Sequence, residues 1–216
     1  IKEYDSASAG TPYRMTMRWF YPNESPWIVN KVAREVVVEG DAWTSSATQR
    51  HTDYFYDGNS GHDDSPSKGA LTKTRGLKSG SSFITLVENG YDSFGNLTST
   101  EAPGGRDTQI SYDSSFDLYP TRVENALGQR TDYQYYGFGG VSVGSLPGQA
   151  GQVKSVTDMN GLETEYQYDP FGRLHKVIGP DDSSSNPLKE YQYWDNSWNS
   201  GTILDPFAIT ERTKPD

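Results

Sequence analysis

The fold of this chain is indicated by residues 161–174, which read GLETEYQYDPFGRL. In the middle of this stretch, Thr164, Tyr166 and Tyr168 alternate with acidic or amide side chains at positions 163, 165 and 167. A period of two residues is typical of a half-buried β-strand, and β-branched and aromatic residues favour strands. The stretch therefore predicts a strand that ends at Tyr168, with its Thr and Tyr side chains on one face.

A tight turn is predicted directly after this strand. Asp169 can accept hydrogen bonds from backbone N–H groups further along the chain, and Gly172 can supply the positive φ that closes a hairpin. A second strand then returns at residues 174–178, so the unit is predicted to be a β-hairpin. Asn160-Gly161, just before the unit, is a signal for a type I′ turn.

The same unit recurs along the chain. Its turn, YDPFGRL, is matched by YDSFGNL at residues 91–97, which places Tyr91, Asp92 and Gly95 in equivalent positions. Copies of the strand pattern lie at residues 52–57, 108–113, 131–135 and 189–193, with a weaker copy at 85–92. Self-similarity of this kind is typical of repeats that bury their faces only by stacking on neighbours. The sequence therefore predicts an all-β fold of consecutive antiparallel hairpins, with less than about a tenth of it helical.

The repeat also predicts how the strands align. If the units form one sheet, three residues of one unit should lie in cross-strand rows with three residues of the next. The two sets are Thr131, Tyr133 and Tyr135, and Thr164, Tyr166 and Tyr168. The polar residues between them should then meet water on the opposite face.

The pattern G-x-x-T-x-Y-x-Y-D-x-x-G-R-L resembles the YD repeat of the RHS family. That family includes bacterial polymorphic toxins, the B and C subunits of insecticidal toxin complexes, and animal teneurins. The resemblance covers about residues 52–193 and is strongest at 121–180. It implies a curved or spiralling YD-repeat sheet, a segment of a hollow shell. Residues 51–216 would be the repeats, and residues 1–50 an irregular β lead-in in which diverged repeats are one interpretation.

The function that this resemblance implies is structural. The β-shell would enclose or present a C-terminal toxin or effector payload, in secretion, interbacterial competition or cell-surface interaction. The chain would then be an internal segment of a larger secreted or cell-surface protein. Its partners would be the rest of the parent shell and the encapsulated payload, with a cell-surface glycan or protein as a further option.

Enzymatic activity is not expected in this segment. Family members that release a payload carry an autoprotease core with an Asp-rich motif, and nothing in this sequence matches it. Any autoprotease or toxin activity of the parent would therefore lie outside the segment. An extracellular glycan-binding adhesin with exposed Tyr and Trp side chains is the alternative function. A secreted polysaccharide-acting enzyme is a third class, which would need two facing carboxylates in a cleft.

The composition limits the possible partners. The net charge is −10 and the pI about 4.7, a field that repels phosphate backbones, so nucleic acid is not an expected partner. The absence of cysteine excludes disulfides, thiolate metal sites and Cys nucleophiles. No apolar run approaches the roughly 18 residues that a membrane helix needs, so membrane insertion is not expected. Tyr, with 15 residues, is the commonest aromatic and suits a thin sheet with one wet face.

Candidate metal sites are few. His51, His62 and His175 lack the paired spacing of zinc ligands, so we expect solvated polar residues on strands and in a loop. The loop that contains Asp181 and Asp182 is rich in oxygen ligands for Ca²⁺ but lacks the alternation and glycine of an EF-hand. An acidic surface loop is the favoured interpretation there, and Ca²⁺ binding stays open.

Candidate catalytic residues have simpler structural interpretations. The recurring aspartates at positions 57, 92, 113 and 169 occupy turn positions, where an Asp side chain caps the turn. No nucleophile elbow, P-loop or dinucleotide fingerprint occurs. The aromatic run from Tyr193 to Trp198 could stack on a sugar, although aromatics of an edge strand or shell interior are favoured. No catalytic residue, cofactor or metal ligand is therefore predicted.

Overall fold

The computed structural model describes residues 2–4, 12–40, 48–138, 148–194 and 208–214. All regular structure in these ranges is β, and none of it is helical, as the period-two pattern predicts. No helix in the described part is therefore available to cross a membrane. The strands are β1 Lys2–Tyr4, β2 Pro12–Phe20, β3 Asn23–Glu24, β4 Trp27–Ile28, β5 Val32–Glu39, β6 Thr48–Tyr56, β7 Leu71–Ser79, β8 Ser82–Tyr91, β9 Leu97–Ala102, β10 Arg106–Tyr112, β11 Pro120–Asn125, β12 Arg130–Tyr135, β13 Val153–Thr157, β14 Glu163–Tyr168, β15 Leu174–Ile178, β16 Lys189–Trp194 and β17 Ala208–Thr213.

The chain packs as two compact units, Ile1–Gln109 and Ile110–Asp216, with the boundary inside β10. In the first unit the sheet order is β1-β2-β5-β6-β7-β8-β9-β10, and β3 and β4 pair separately. In the second unit each strand from β11 to β17 pairs with the next one along the chain. The described pairings are antiparallel, so the predicted fold of consecutive antiparallel hairpins is confirmed. The curvature of the sheet stays a prediction.

Four of the hairpin turns share one geometry. Each begins with Asp or Asn, whose N–H donates to the carbonyl four residues on, and the residue at the fourth position is a glycine whose N–H donates back. These glycines have φ between +71° and +91°, which confirms the positive φ predicted for Gly95 and Gly172. This is a three-residue loop, a type I turn followed by a left-handed residue. The four turns begin at Asp92, Asn125, Asp158 and Asp169.

The type I′ turn predicted at Asn160-Gly161 is wrong. A type I′ turn needs positive φ at both central residues, and Asn160 is not among the described residues with positive φ. Asp158 selects the type I loop instead, because its Oδ1 accepts the N–H groups of Asn160 and Leu162 at 2.8 and 2.9 Å.

A β-bulge lies opposite the aromatic residue that closes each of five hairpins. In β14, Gln167 faces Lys176 but Tyr168 faces Leu174, so His175 is an extra residue on the return strand. The same shift occurs at Phe20, Tyr56, Tyr91 and Tyr135. Because a bulge adds one residue, Leu174 and Val177 both face tyrosines although they are three residues apart.

The predicted alignment of Thr131, Tyr133 and Tyr135 with the equivalent residues of the next unit is wrong in register. The return strand β13 lies between β12 and β14: Tyr133 faces Val156, and Val156 faces Thr164. Tyr133 therefore shares a row with Thr164 rather than with Tyr166. Because side chains alternate with a period of two, this offset of two residues leaves the face unchanged.

The most deeply buried part of the first unit is β5 with β6. Val36, Val37 and Val38 are consecutive and all buried, so both faces of β5 are covered. Phe55 and Tyr56 of β6 are buried beside them. Such a continuous apolar run is typical of a strand that is buried on both faces.

Valine substitutions at the two motif glycines should reduce the stability by different amounts. Valine at Gly95 or Gly172 would place a β-branched residue in the left-handed region, which costs about 1–2 kcal/mol. At Gly172 a Cβ atom would also lie 3.1 Å from both Gln149 Oε1 and Gln152 Nε2, whereas at Gly95 it meets open space. Gly172→Val should therefore lower the free energy of unfolding more than Gly95→Val in urea titrations.

The matched control is Gly172→Asn, because asparagine tolerates the left-handed region better than valine does. If Gly95→Val and Gly172→Val lower the free energy of unfolding equally, the close contacts with Gln149 and Gln152 do not contribute to the loss.

Candidate functional site

The recurring aspartates bind the backbone of the turns that follow them. The Asp169 Oδ1 accepts the N–H groups of Phe171 and Arg173 at 2.9 and 2.8 Å, and Arg173 Nε donates to Oδ2 at 2.6 Å. Asp92 Oδ1 accepts the N–H groups of Phe94 and Asn96 in the same way, both at 2.9 Å. The interpretation of these residues as turn caps is confirmed.

Two aspartates hold longer loops. Asp57 accepts four consecutive N–H groups, those of residues 67–70, at 2.7–3.0 Å, and so closes the long loop between β6 and β7. Asp113 accepts the N–H groups of Ser115, Phe116, Leu118 and Tyr119 at 2.8–3.1 Å. Each carboxylate thus satisfies four backbone N–H groups of its loop.

These bonds determine the charge of the capping aspartates. Burial acts to raise the pKa of Asp57, Asp92, Asp113 and Asp169, but the donated hydrogen bonds outweigh it and hold each pKa below its ordinary value of 3.8. A general acid or base works best with a pKa near the operating pH. The caps are therefore permanent anions at neutral pH, suited to holding backbone rather than to moving protons.

The closing tyrosines tie consecutive hairpins together through their hydroxyl groups. Tyr91 Oη donates to the carbonyl of Leu71 at 3.0 Å, and Tyr193 Oη donates to the carbonyl of Leu174 at 2.8 Å. Leu71 faces Tyr56 and Leu174 faces Tyr168, so each acceptor is the partner of the preceding closing tyrosine. We name this contact the hydroxyl clasp. It also occurs from Tyr56 to Val32 at 2.9 Å and from Tyr135 to Pro120 at 2.8 Å.

Removing a single hydroxyl clasp should have a modest, measurable effect. Tyr91→Phe and Tyr193→Phe each lose one neutral hydrogen bond while keeping the ring, so we expect a loss of about 1 kcal/mol in the free energy of unfolding. Tyr133→Phe is the control, because Tyr133 takes no part in the clasp. Losses no larger than that of the control would show that water replaces the bond at no cost.

Tyr136 is a structural residue that the sequence did not reveal. It stands where the other units have the capping Asp, and its side chain is buried. Its hydroxyl donates to the carbonyl of Tyr166 at 3.1 Å, across the intervening strand β13. Its ring occupies the space that a Cβ atom at Gly148 would need. The departure from the motif thus exchanges a turn cap for a buried aromatic anchor.

A buried ion cluster in the first unit was also not foreseen. Arg34, Asp53 and Arg75 face one another across β5, β6 and β7. The Asp53 side chain is fully buried, and it accepts Arg34 Nε at 2.7 Å and Arg75 Nε at 2.9 Å. His51 Nε2 lies 3.0 Å and His62 Nε2 3.9 Å from Asp53 Oδ1. We call these five residues the Asp53 cluster.

The prediction that the histidines are solvated is wrong for two of them. The side chains of His51 and His62 are 17% and 15% exposed. Their burial comes from partners on other strands, which local sequence does not indicate. His175 is more exposed, and its Nδ1 lies 3.0 Å from the carbonyl oxygen of Tyr191.

The Asp53 cluster has the chemistry of a structural counter-ion. Burial acts to raise the pKa of Asp53, but the hydrogen bonds from Arg34 and Arg75 outweigh it and lower the pKa below 3.8. The Arg75 guanidinium in addition lies 4.6–5.0 Å from the ring centroids of Phe83 and Phe55. Both carboxylate oxygens are thus engaged by arginines, and Oδ1 also lies within hydrogen-bond distance of His51 Nε2.

The candidate metal and sugar sites lack the side-chain arrangement that binding would need in the described residues. In the described ranges, no group of three or more His, Asp or Glu side chains could hold a metal ion. Asp182 accepts Lys214 Nζ at 2.7 Å, so an ammonium group occupies the position that a cation would take. In the proposed sugar platform, the Tyr193 ring is covered by the Arg173 guanidinium at 4.2 Å. Residues 195–198 of that platform lie outside the described residues.

Comparison with known proteins yields one family match. The RHS repeat family model matches residues 149–184. No curated protein sequence matches the chain. The chain is similar to a crystal structure of TcdB2-TccC3-Cdc42 (12% identity, TM-score 0.44, covering 93% of this chain and 10% of that one). It is also similar to TcdB2-TccC3 (11%, 0.43, 95% and 10%).

A third similar structure is a Photorhabdus luminescens Tc holotoxin pore with a TccC3 variant (10% identity, TM-score 0.29, 92% and 13% coverage). This chain therefore spans only 10–13% of the length of the chains it matches. The family match covers the unit whose strand, Asp-capped turn and return strand are described above. Residues 149–184 thus match an RHS repeat, and the Asp169 turn of this segment shares its geometry with the turns at Asp92 and Asn125.

Proposed function

We propose that this chain is a structural wall segment of a larger RHS/YD-repeat protein, in which its hairpins continue the sheet of neighbouring repeats. The observation that carries the proposal is the hydroxyl clasp, because at four tyrosines it ties a hairpin to the one before it. The groups that recur in the motif, the closing Tyr and the capping Asp, are engaged with backbone. Residues 51–216 would form the repeat wall and residues 1–50 its lead-in.

The motif residues have positioning roles in this proposal. They hold the register and the turns of the wall: Thr131, Tyr133, Tyr135, Thr164, Tyr166, Tyr168, Asp169, Gly172, Tyr91, Asp92 and Gly95. Side chains such as Tyr133 and Tyr166 are only half-buried in the described part, which fits a single-layer wall. Repeats of this kind bury their faces against neighbours, so the rest of the parent protein is the expected partner.

The finer function that we propose is enclosure. The wall would surround or present a C-terminal toxin or effector segment of the parent, in a secreted or cell-surface protein. No catalytic step is assigned to this segment, since its caps are fixed anions and its buried carboxylate is neutralised by arginines.

Protease protection of the full-length parent tests enclosure. We expect its C-terminal segment to resist protease in the wild type and to become cleavable in the Gly172→Val variant, which strains a wall hairpin. Met159→Ser is the control, because Met159 is 56% exposed at a neighbouring turn and packs little. If protease cleaves the C-terminal segment of the wild type as fast as that of the Gly172→Val variant, the enclosure proposal is overturned.

The glycan-binding adhesin predicts a different response to the same residues. In the wall, Tyr133→Ala and Tyr166→Ala should lower the melting temperature, because cross-strand contacts of this type contribute roughly 0.2–1 kcal/mol each. In an adhesin they would abolish binding on a glycan array and leave the melting temperature nearly unchanged. Melting curves and glycan-array binding of the wild type, Tyr133→Ala and Tyr166→Ala distinguish the wall segment from the adhesin.

A further inference from the structure

The long loop between β6 and β7, residues 57–70, inserts one histidine into the first unit. The His62 side chain is only 15% exposed and its Nε2 points towards the buried Asp53 carboxylate. Its ring lies 6.2 Å from the Phe55 ring and 6.3 Å from the Tyr21 ring, both edge-on. His62 is therefore the largely buried side chain in the middle of the loop, and Pro66 is buried nearer its C-terminal end.

The remaining contacts hold the two ends of the loop. At its C-terminal end, the Asp57 carboxylate accepts the N–H groups of residues 67–70. Ser65 Oγ donates to the carbonyl of Pro22 at 3.1 Å, and Asn23 Nδ2 donates to the carbonyl of Pro66 at 3.0 Å. At its N-terminal end, the Gly58 N–H donates to Thr72 Oγ1 at 3.0 Å and the Asn59 N–H donates to the carbonyl of Tyr56 at 2.9 Å. Residues 60–64, the middle of the loop, thus depend on His62 for their attachment to the sheet.

The surroundings of His62 oppose its protonation in place. It faces Asp53 and His51 from β6, Arg34 from β5 and Arg75 from β7. Two further carboxylates belong to the middle of the loop: Asp63, 60% exposed, lies 3.7 Å from Nδ1, and Asp64 Oδ2 accepts the N–H of Gly61 at 2.8 Å. Arg34 and Arg75 act against a protonated His62 and Asp53 and Asp63 act in its favour, so the burial of the ring is left to disfavour its protonation in place.

We propose that the β6–β7 loop is an acid-released latch: protonation of His62 expels its ring from the Asp53 cluster and frees residues 60–64 while the strands and the two ends of the loop stay in place. This device goes beyond the wall function and does not depend on it. It would let one segment of the surface open in an acidic compartment without unfolding the sheet.

The sign of the pH dependence follows from the surroundings of the ring. Burial lowers the pKa of His62 below its ordinary value of 6.5; Asp53 acts to raise it, and Arg34 acts to lower it. The latched state therefore holds the neutral ring. Latching is fully stable above about pH 6.5 and weakens as the pH falls from there towards the lowered pKa, because the released ring binds a proton more readily.

Hydrogen exchange on the whole chain tests the latch. After correction for the intrinsic exchange rate, we expect residues 60–64 to exchange faster at pH 5.0 than at pH 7.5, by up to about tenfold for each unit by which the His62 pKa is depressed. In His62→Gln this acceleration should disappear, because glutamine does not titrate. In His175→Gln, the control in the second unit, it should persist.

Two results would overturn the proposal: no acceleration in the wild type, or an acceleration that persists in His62→Gln, which would assign it to His51 or to carboxylates. Fast exchange at both pH values in His62→Gln would support His62 as the anchor. An NMR titration of the His62 ring protons in the wild type supplies an independent measurement. A pKa below 6.5 is expected, and one at or above 6.5 would overturn the latch.

Discussion

Asp53→Asn should cost about 3–5 kcal/mol in the free energy of unfolding, the loss typical of breaking a buried ion pair from one side. Asparagine keeps the shape of the side chain but removes its charge. Arg34 and Arg75, only 29% and 35% exposed, would then face each other across β6 without a counter-ion. Because whole domains are stable by about 5–15 kcal/mol, this single change could unfold the first unit. Urea titration with circular dichroism measures the loss.

The chain contains a matched control for this variant. Asp132 also lies between two arginines, with Arg122 Nε at 2.6 Å and Arg130 Nε at 3.2 Å, but its side chain is 30% exposed. Water and salt screen such a pair, so Asp132→Asn should have a much smaller effect that fades at high salt. If Asp53→Asn costs no more than Asp132→Asn, burial is not what makes the Asp53 cluster important.

Replacing the whole row separates charge from packing. In the triple variant Arg34→Met, Asp53→Leu, Arg75→Met, no charge of the row is left unpaired. Buried ion pairs exchanged for apolar residues of similar volume are often neutral or stabilising. We therefore expect the triple variant to regain most of the stability lost in Asp53→Asn, and a loss as large as that of the single variant would contradict this account.

Asp113→Ala should be the most damaging turn substitution, with a loss of about 2–4 kcal/mol, since bonds to a charged acceptor contribute more than neutral ones. The carboxylate accepts four N–H groups at 2.8–3.1 Å, and the residue is 6% exposed. Its loop also contains Asp117 at φ +50°, a conformation that the surrounding bonds must hold. The midpoint of urea unfolding should fall accordingly.

Asp113→Asn tests how much of this loss comes from the charge, because the amide keeps one acceptor oxygen and loses the charge. Its loss should lie between those of the wild type and Asp113→Ala. Although burial acts to raise the pKa of Asp113, the four N–H groups lower it below 3.8. The wild-type advantage over the alanine variant should therefore be full above about pH 3.8 and decline as the pH falls below it. An advantage that is independent of pH would exclude the charge as its source.

Much of the hairpin architecture could be predicted because it depends on neighbours within a few residues. The alternation of Thr164, Tyr166 and Tyr168 specifies a strand, and Asp169 with Gly172 specifies the turn that follows. Both devices act over four residues or fewer, so their geometry is encoded in one short window. The Asn-Gly pair alone does not predict the turn type at residues 158–162, because the Asp158 cap stabilises a type I loop there.

The register was predicted less well, for a physical reason. Five return strands that start opposite a closing aromatic carry one extra residue, as β15 does at His175. A bulge has no strong sequence signature, since the extra residue is Thr72, Thr98 or Lys154 in other hairpins. A strict period of two therefore predicts the positions of the strands correctly but not which residues pair across them.

The sequence by itself determined the all-β class, the positions of strands and turns, and the roles of the capping aspartates, because these follow from side-chain alternation and from bonds to nearby backbone. Only the tertiary structure decided which carbonyl each tyrosine hydroxyl binds and where Tyr136 is anchored, since those partners lie 15–30 residues away. The Asp53 cluster is the clearest case. His51 and His62, which the sequence predicts to be solvated, join Arg34, Asp53 and Arg75 in one ion network, because three strands and a loop bring opposite charges together where water is excluded.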